Sequence, residues 1–405
     1  MIPLRHVATV RASNVDKKSV DDQAAVRLCN YTDVYYRDTI HPDQEFMAAT
    51  ATAEQIETFR LLPGDVIITK DSETPDDIGV PAFVAEGAPD LVCGYHLAVI
   101  RPVLGRADGR YLCWAMRSKP VRAQLSIAAM GVTRFGLRTD AIRALRIPLP
   151  SLDEQREIAG FLDREVAKLN ELSRLKKGLA DKLSQRLSAT MYAAIAELPR
   201  NAKLAYLCSW LSGGTPPKDE PEHWSGSMPW ASTKDLVTDE MEDTLDHVTE
   251  QAAATHSRVA PAGSILVATR GMALAKRIPL AVTRRPVAFN QDLKGLVPVP
   301  DVEVDYLRIA LRGYQSDLLA SVVESAHGTR RLETRHLKAL RIPLPDPDVQ
   351  RRIVAEVREV EVGTQKIEKA LRRQLALLEE HREALITAAV TGALDLSSRS
   401  TAVAA

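Results

Sequence analysis

Arg146-Ile147-Pro148-Leu149-Pro150 recurs letter for letter as Arg341-Ile342-Pro343-Leu344-Pro345, at an offset of 195 residues in a chain of 405. Each copy is followed by roughly 45 residues of helical pattern and preceded by roughly 145 of mixed, strand-like sequence. The chain is therefore written twice, each time as a globular half and then a long helix. A two-fold repeat with one globular half per unit suits the gripping of something bipartite.

The helices are the clearest local reading. After the first pentapeptide, Ser151 and Glu154 form an S-x-x-E capping box. Apolar residues then fall at Ile158, Phe161, Leu162, Val166, Leu169, Leu172, Leu175, Leu179, Leu183, Leu187, Met191 and Ile195, the three-and-four spacing of one helix face. After the second pentapeptide, Asp346 suits an N-cap and Pro347 the first helical position. The stripe from Val349 through Ile353, Val357, Ile367, Leu371, Leu378 and Ala389 ends at Thr391-Gly392. Gly178 and Gly363 lie inside the stripes and should weaken or bend them by ~1 kcal/mol each. Helices of about 60–65 Å cannot bury such stripes alone, so the two are expected to pair as a coiled coil. Parallel and antiparallel pairing are both reachable through so large an insert. The antiparallel form makes the repeat a pseudo-dyad and is the expected one.

Each globular half carries short β-rich runs bounded by Gly and Pro. Asp65–Thr69 follows Pro63-Gly64, and Ser264–Ala268 follows Pro261-Ala262-Gly263. Leu97–Ile100 before Pro102 parallels Leu293–Val297 before Pro298, and Gly131-Val132-Thr133-Arg134 parallels Gly328-Thr329-Arg330. The expected fold is α+β: two mixed α/β domains with small irregular sheets, joined by the helix pair. The boundaries read as a first domain at 1–150, a central helix at 151–198, a second domain at 199–345, a distal helix at 346–395 and a disordered tail at 396–405.

No apolar run approaches the ~18 residues that cross a membrane, and Met1–His6 lacks the apolar core of a signal peptide. Cys29, Cys93, Cys113 and Cys208 lie far apart with no C-x-x-C, which suits isolated thiols in a reducing cytoplasm. Net charge is zero but unevenly spread. Residues 101–150 hold ten Lys/Arg against two Asp/Glu, and residues 270–345 hold thirteen against seven; residues 215–250 hold two against ten. The two basic segments occupy the same place in each half, ahead of the pentapeptide, as phosphate-binding patches would.

The chain has no P-loop, no G-x-G-x-x-G, no H-E-x-x-H, no Asn-Pro-Pro-aromatic tetrapeptide and no Glu-x-Lys tripeptide. These absences argue against an ATPase, a methyltransferase or a familiar nuclease. No catalytic or metal-ligating set is assigned. The residues that are present suit reading of a DNA groove. Arg reads guanine and Asn or Gln reads adenine, while Lys, Ser and Thr position phosphates. The candidates in the first half are Lys70, Tyr95, His96, Thr133, Arg134 and Arg138. Those in the second are Thr215, Lys218, Lys234, Arg270, Lys276, Asn290, Gln291, Thr329, Arg330, Arg331 and Arg335. Arg134 and Arg330 read as equivalent positions, as do Tyr95 and Gln291. Trp230, also in this region, and Trp224 fit a core better than a stacking platform.

Several segments carry a resemblance to a known family. They are the twin Leu-Arg-Ile-Pro-Leu-Pro runs at 145–150 and 340–345, Leu152-Asp153-Glu154-Gln155-Arg156-Glu157-Ile158, Gly213-Gly214-Thr215-Pro216 with Met228-Pro229-Trp230 and Ser232-Thr233-Lys234-Asp235-Leu236, Val390-Thr391-Gly392, and Val26–Tyr35. Together they make the chain resemble the specificity subunits of type I restriction–modification systems. The second helix departs from the pattern, with Val349 where the first has Glu154.

The resemblance implies a non-catalytic, cytoplasmic DNA-recognition subunit of a phage-defence system. Each target-recognition domain would read one half of an interrupted sequence, and the helices would set the spacer. Its implied partners are double-stranded DNA, two adenine methyltransferase subunits and restriction/translocase subunits. S-adenosylmethionine, ATP and Mg2+ would act on those partners, with no cofactor in this chain. The alternative reading is a coiled-coil protein-interaction scaffold that does not bind DNA.

Overall fold

The computed structural model describes residues 1–324 and 329–395. Gly328 and the tail at 396–405 lie outside the described residues. The chain divides into two compact units, one built from residues 1–176 with those from 372 on, the other from residues 177–371. Each unit thus takes one globular region and one half of each long helix.

The recurring pentapeptide closes each globular region. Arg146–Ile147 pairs antiparallel with Ile2–Pro3, and Arg341–Ile342 pairs in the same way with Ala202–Lys203. The start and the end of the globular segment are so brought side by side, and the prolines that follow end the strand before the helix begins. The hydroxyl of Tyr111 donates to the carbonyl of Pro148 at 3.0 Å, and that of Tyr306 to the carbonyl of Pro343 at 3.0 Å.

Within the first unit a five-stranded sheet runs in the order Ala8–Ala12, Leu97–Pro102, Val66–Thr69, Pro81–Val84, Thr39–Ile40. The second unit repeats that order with Cys208–Ser212, Leu293–Pro298, Ile265–Ala268, Leu280–Thr283 and Glu240–Met241. In both sheets the first four strands are antiparallel and the last joins in parallel. The central strands Val66–Thr69 and Ile265–Ala268 are buried at every position, as expected of a strand covered on both faces. A smaller sheet lies beside each: Met47–Ala51, Ala24–Cys29 and Leu91–Cys93 in the first unit, and Asp246–Val248, Met228–Ala231, Val287–Phe289 and Val259–Ala260 in the second. The β-rich runs expected from sequence are these central strands, and the mixed α/β halves with small sheets are borne out.

The long helices span Leu152–Ala196 and Pro347–Thr391, 45 residues each. The Ser151 cap forms as expected, with the backbone N–H of Ser151 donating to the Glu154 carboxylate at 2.8 Å. Gly392 adopts φ +75° directly after the second helix, and the N–H of Leu394 returns to the carbonyl of Ala388 at 3.1 Å. That left-handed glycine ends the helix because glycine adopts the conformation without the Cβ penalty of other residues. Neither Gly178 nor Gly363 interrupts its helix.

Pairing is antiparallel in both units. The core of the first gathers Ile158, Leu162 and Val166 from the start of one helix with Ile386, Ala389 and Val390 from the end of the other. The core of the second gathers Met191 and Ile195 with Ile353 and Val357. The stripes are not buried throughout. Leu172 and Leu175 are 41% and 54% exposed. Burial is deepest where the helix also meets the globular region, and a single partner helix leaves much of the stripe open. Among the described residues no helix is long and apolar enough to cross a membrane. All four cysteines are free and buried.

Candidate nucleic-acid interface

Each unit holds a polar cleft, and the same backbone builds both. Four hydrogen bonds place its walls. The N–H of Gly94 donates to the carbonyl of Cys29 at 2.8 Å, as that of Asn290 does to Ala231 at 2.9 Å. The N–H of Lys70 donates to His96 at 3.0 Å, as that of Thr269 does to Asp292 at 2.8 Å. The N–H of Leu137 donates to Lys70 at 2.8 Å, as that of Leu332 does to Thr269 at 2.9 Å. A capped turn follows the neighbouring strand in each case: the N–H of Asn30 donates to Asp33 at 2.8 Å, and that of Ser232 to Asp235 at 2.8 Å.

The side chains on this shared frame differ. The cleft of the first unit is lined by Lys17, Tyr31, Thr32, Tyr35, Tyr36, Asp71, Ser72, Glu73, Thr74, Asp77, His96, Thr133 and Arg134. Tyr31 and Tyr35 stack at 5.4 Å, and the Tyr35 hydroxyl donates to Asp77 at 2.6 Å. That bond, with burial and the Asp77 charge, pushes the Tyr35 phenol up to about 12. Lys70 places its ammonium 4.5 Å from the centre of the Tyr95 ring, which meets His96 edge-on at 4.9 Å. His96 Nδ1 lies 2.7 Å from Asp71.

The cleft of the second unit is lined by Thr215, Lys218, Trp224, Trp230, Ser232, Lys234, Asp246, Asn290, Gln291 and Asp292. The Thr215 hydroxyl donates to Gln291 Oε1 at 2.6 Å, which leaves the Gln291 amide nitrogen free to donate outward. Lys234 donates to Asp246 at 2.8 Å, and that hydrogen bond raises the Lys234 pKa. Asn290 is buried, and its Oδ1 accepts from the N–H of Asp292 at 3.1 Å, so it holds the loop in shape. Trp224 and Trp230 pack edge to face, and both indole N–H groups are bonded to carbonyls, of Pro217 and Gly214. They form the back wall, in keeping with the core role expected of them.

The structure gathers most of the residues singled out from sequence. His96, Thr133 and Arg134 line the first cleft, with Lys70 and Tyr95 against its rim. Thr215, Lys218, Lys234, Asn290 and Gln291 line the second. Arg270 reaches Asp292 at 3.7 Å, and its backbone bridges that of Arg331. Arg330 pairs with Glu324 at 3.2 Å, and Thr329 precedes it. Three further candidates stand apart from the clefts, and Thr329, Arg330 and Arg331 are not among the residues that line the second. Arg138 pairs with Asp140, Arg335 pairs with Glu333, and Lys276 is exposed after the short helix Met272–Ala275.

One expected equivalence shifts by a residue. Asp71 opposes Gly136 where Arg270 opposes Arg331, so Arg134 corresponds to Thr329 and Arg330 to Phe135. The basic loops differ in register because the matched hydrogen bonds at Leu137 and Leu332 set the frame. Asp71 and Asp292 escaped the sequence reading, which looked for cations and amides. Continuing the two matched strands by two residues would have found Asp71 at the position that Arg270 holds in the second unit.

These twin clefts sit in a chain that matches the type I restriction modification DNA specificity domain over residues 13–180 and again over 201–377. The chain is 27% identical over 246 residues to the type I restriction enzyme EcoR124I/EcoR124II specificity subunit of Escherichia coli, covering 59% of this chain and 61% of that one. It is 31% identical over 139 residues to the putative type I restriction enzyme MjaX specificity subunit of Methanocaldococcus jannaschii, covering 32% of each. The matches thus span about three fifths and one third of those relatives. A solved structure described as the basis of complex assembly and conformational transition in the type I R-M system shares the fold, with a TM-score of 0.65 at 19% identity over 96% of both chains. Two copies of one domain, each with the same cleft on the same frame, make this chain a member of the type I restriction modification DNA specificity family.

Proposed function

We propose that this chain is the sequence-reading subunit of a type I restriction–modification complex. Residues 1–150 read one half of an interrupted duplex sequence, and residues 199–345 read the other. The helices at 151–198 and 346–395 set the number of unread base pairs between them. The observation that carries this reading is the pair of clefts: one backbone frame built twice and lined by different side chains. Such a frame reads two unlike half-sites, since base edges in the major groove differ in their donor and acceptor pattern.

In this reading the chain performs no chemistry. It works in the cytoplasm and presents DNA to two adenine methyltransferase subunits and to restriction/translocase subunits. S-adenosylmethionine, ATP and Mg2+ act on those partners. Lys17, Lys70, Arg134, Lys218 and Lys234 neutralise phosphates at the cleft rims.

The test is to co-express the chain with an adenine methyltransferase subunit of a type I system and to map methylated adenines by genome sequencing. The expected result is a motif of two fixed segments separated by a constant gap, absent when the chain is omitted. Methylation that is indifferent to the chain would overturn the reading in favour of a protein scaffold.

A further inference from the structure

The two clefts share a position at which a titratable pair is inverted. In the first unit Asp71 ends the strand continuation and His96 precedes the neighbouring strand, with Nδ1 2.7 Å from the carboxylate. In the second unit the same two positions hold Arg270 and Asp292, 3.7 Å apart. The equivalence rests on the backbone: Lys70 bonds to His96 as Thr269 bonds to Asp292, and Asp71 opposes Gly136 as Arg270 opposes Arg331. Acid and base have exchanged strands.

That inversion changes what each cleft can recognise. An ionised carboxylate only accepts hydrogen bonds, so His96 faces Asp71 with its Nδ1–H, and in the neutral form of the ring that tautomer leaves Nε2 as an acceptor. Nε2 has no hydrogen-bond partner among the described residues, and His96 lines the cleft. A bare acceptor there recognises a base that donates into the major groove, through adenine N6 or cytosine N4. It repels guanine and thymine, whose O6 and O4 would face a lone pair. In the second unit the carboxylate steers a guanidinium, which only donates. Half of the Arg270 side chain is open to solvent, and its fork matches guanine O6 and N7.

Resting on the proposed function, we propose that this cross-strand pair determines one base of each half-site: adenine or cytosine opposite His96 in the first, guanine opposite Arg270 in the second. The position is a specificity element whose polarity was exchanged between the two copies of the domain.

The experiment selects bound duplexes from a randomised library with the full chain in its methyltransferase complex, and sequences them. Two variants are compared with the unaltered chain. His96→Ala should relax a single position of the first segment, reducing discrimination there by about tenfold or more. The double substitution Asp71→Arg with His96→Asp transplants the pair of the second unit, and should convert that same position to guanine. The second segment serves as the folding control and should be unchanged in both. A first segment identical to that of the unaltered chain would overturn the proposal while leaving the bipartite reading intact, as would an even loss of affinity across all sequences. An unaltered chain that enriches no motif would overturn the bipartite reading itself.

Discussion

Gln155 and Gln350, 195 residues apart in sequence, make the same two hydrogen bonds. Gln155 Oε1 accepts from the N–H of Asp108 at 2.9 Å while its Nε2 donates to the carbonyl of Pro150 at 2.9 Å. Gln350 Oε1 accepts from the N–H of Glu303 at 2.9 Å and its Nε2 donates to the carbonyl of Pro345 at 2.9 Å. Asp108 and Glu303 are the N-caps of the helices Gly109–Arg117 and Val304–Gly313. Each amide therefore ties the first turn of a long helix to a domain helix and to the end of the pentapeptide. Both amides are buried.

Replacing either glutamine by alanine should strand a backbone donor and acceptor away from water, at a cost of about 1–3 kcal/mol. Gln155→Ala and Gln350→Ala are expected to destabilise by similar amounts in urea unfolding. A large effect from one and none from the other would break the claimed equivalence.

Arg308 is a second anchor in the second unit. Its guanidinium forms a forked pair with Glu361 of the distal helix, with the second prong at 2.9 Å, and also contacts Asp239 at 3.2 Å. Both side chains of the forked pair are mostly buried, and breaking such a pair leaves an uncompensated charge. Glu361→Ala should cost roughly 3 kcal/mol, the low end of the usual range because Asp239 and Asp305 still face Arg308. Glu361→Gln should cost less. Denaturant midpoints of the two variants give the comparison.

How far these features were legible differs by kind. The helices and their caps were readable because a cap is a local matter of three or four residues, as at Ser151-Glu154 and Thr391-Gly392. The smaller sheets were not, because each is held together through one parallel and distant pair: Cys29 lies beside Cys93, and Ala231 beside Phe289. No local pattern records such a partner. The stripe also misled at Leu172 and Leu175, since periodicity shows which face is apolar and not how much protein covers it. Half of the cleft was visible as loop cations and amides. Asp71 and Asp292 were not, because an acid in a cleft sought for its cations becomes meaningful only once its partner is seen.

Acid should loosen both units through equivalent aspartates. Burial pushes the Asp239 pKa up, but the charges and hydrogen bonds of Arg312 and Arg308 outweigh it and hold the carboxyl below its usual value. Asp38 behaves likewise beside Arg117. A folded-state pKa below the unfolded one gives stability that is present above about pH 4 and lost as the pH falls through the folded value. Thermal melts between pH 3 and 7 should show a decline confined to the acid end. Asp239→Asn should flatten it more than Asp38→Asn, because the Asp38 side chain is half open to water.

Gly178 and Gly363 leave room for a methyl group, with nothing within 4 Å of a built Cβ at either site. Both lie in continuous helix, where glycine is about 1 kcal/mol less favourable than alanine. Gly178→Ala and Gly363→Ala are each expected to raise the melting temperature. A fall at either site would reveal a bend that the helix needs.

The spacer role proposed for the helices yields the most specific test. Lys176 donates to Gln374 at 2.6 Å across the helix pair, which marks matched points for insertion. Four residues come close to one helical turn, so the apolar stripe stays nearly in phase, and they add about 6 Å at 1.5 Å per residue. Duplex DNA rises about 3.4 Å per base pair. Adding four residues after Lys176 and four after Arg373 should therefore lengthen the unread gap by one or two base pairs while both half-sites keep their sequence. Mapping of methylated adenines reads the gap directly. A changed half-site with the old gap would show that the helices do not measure the distance.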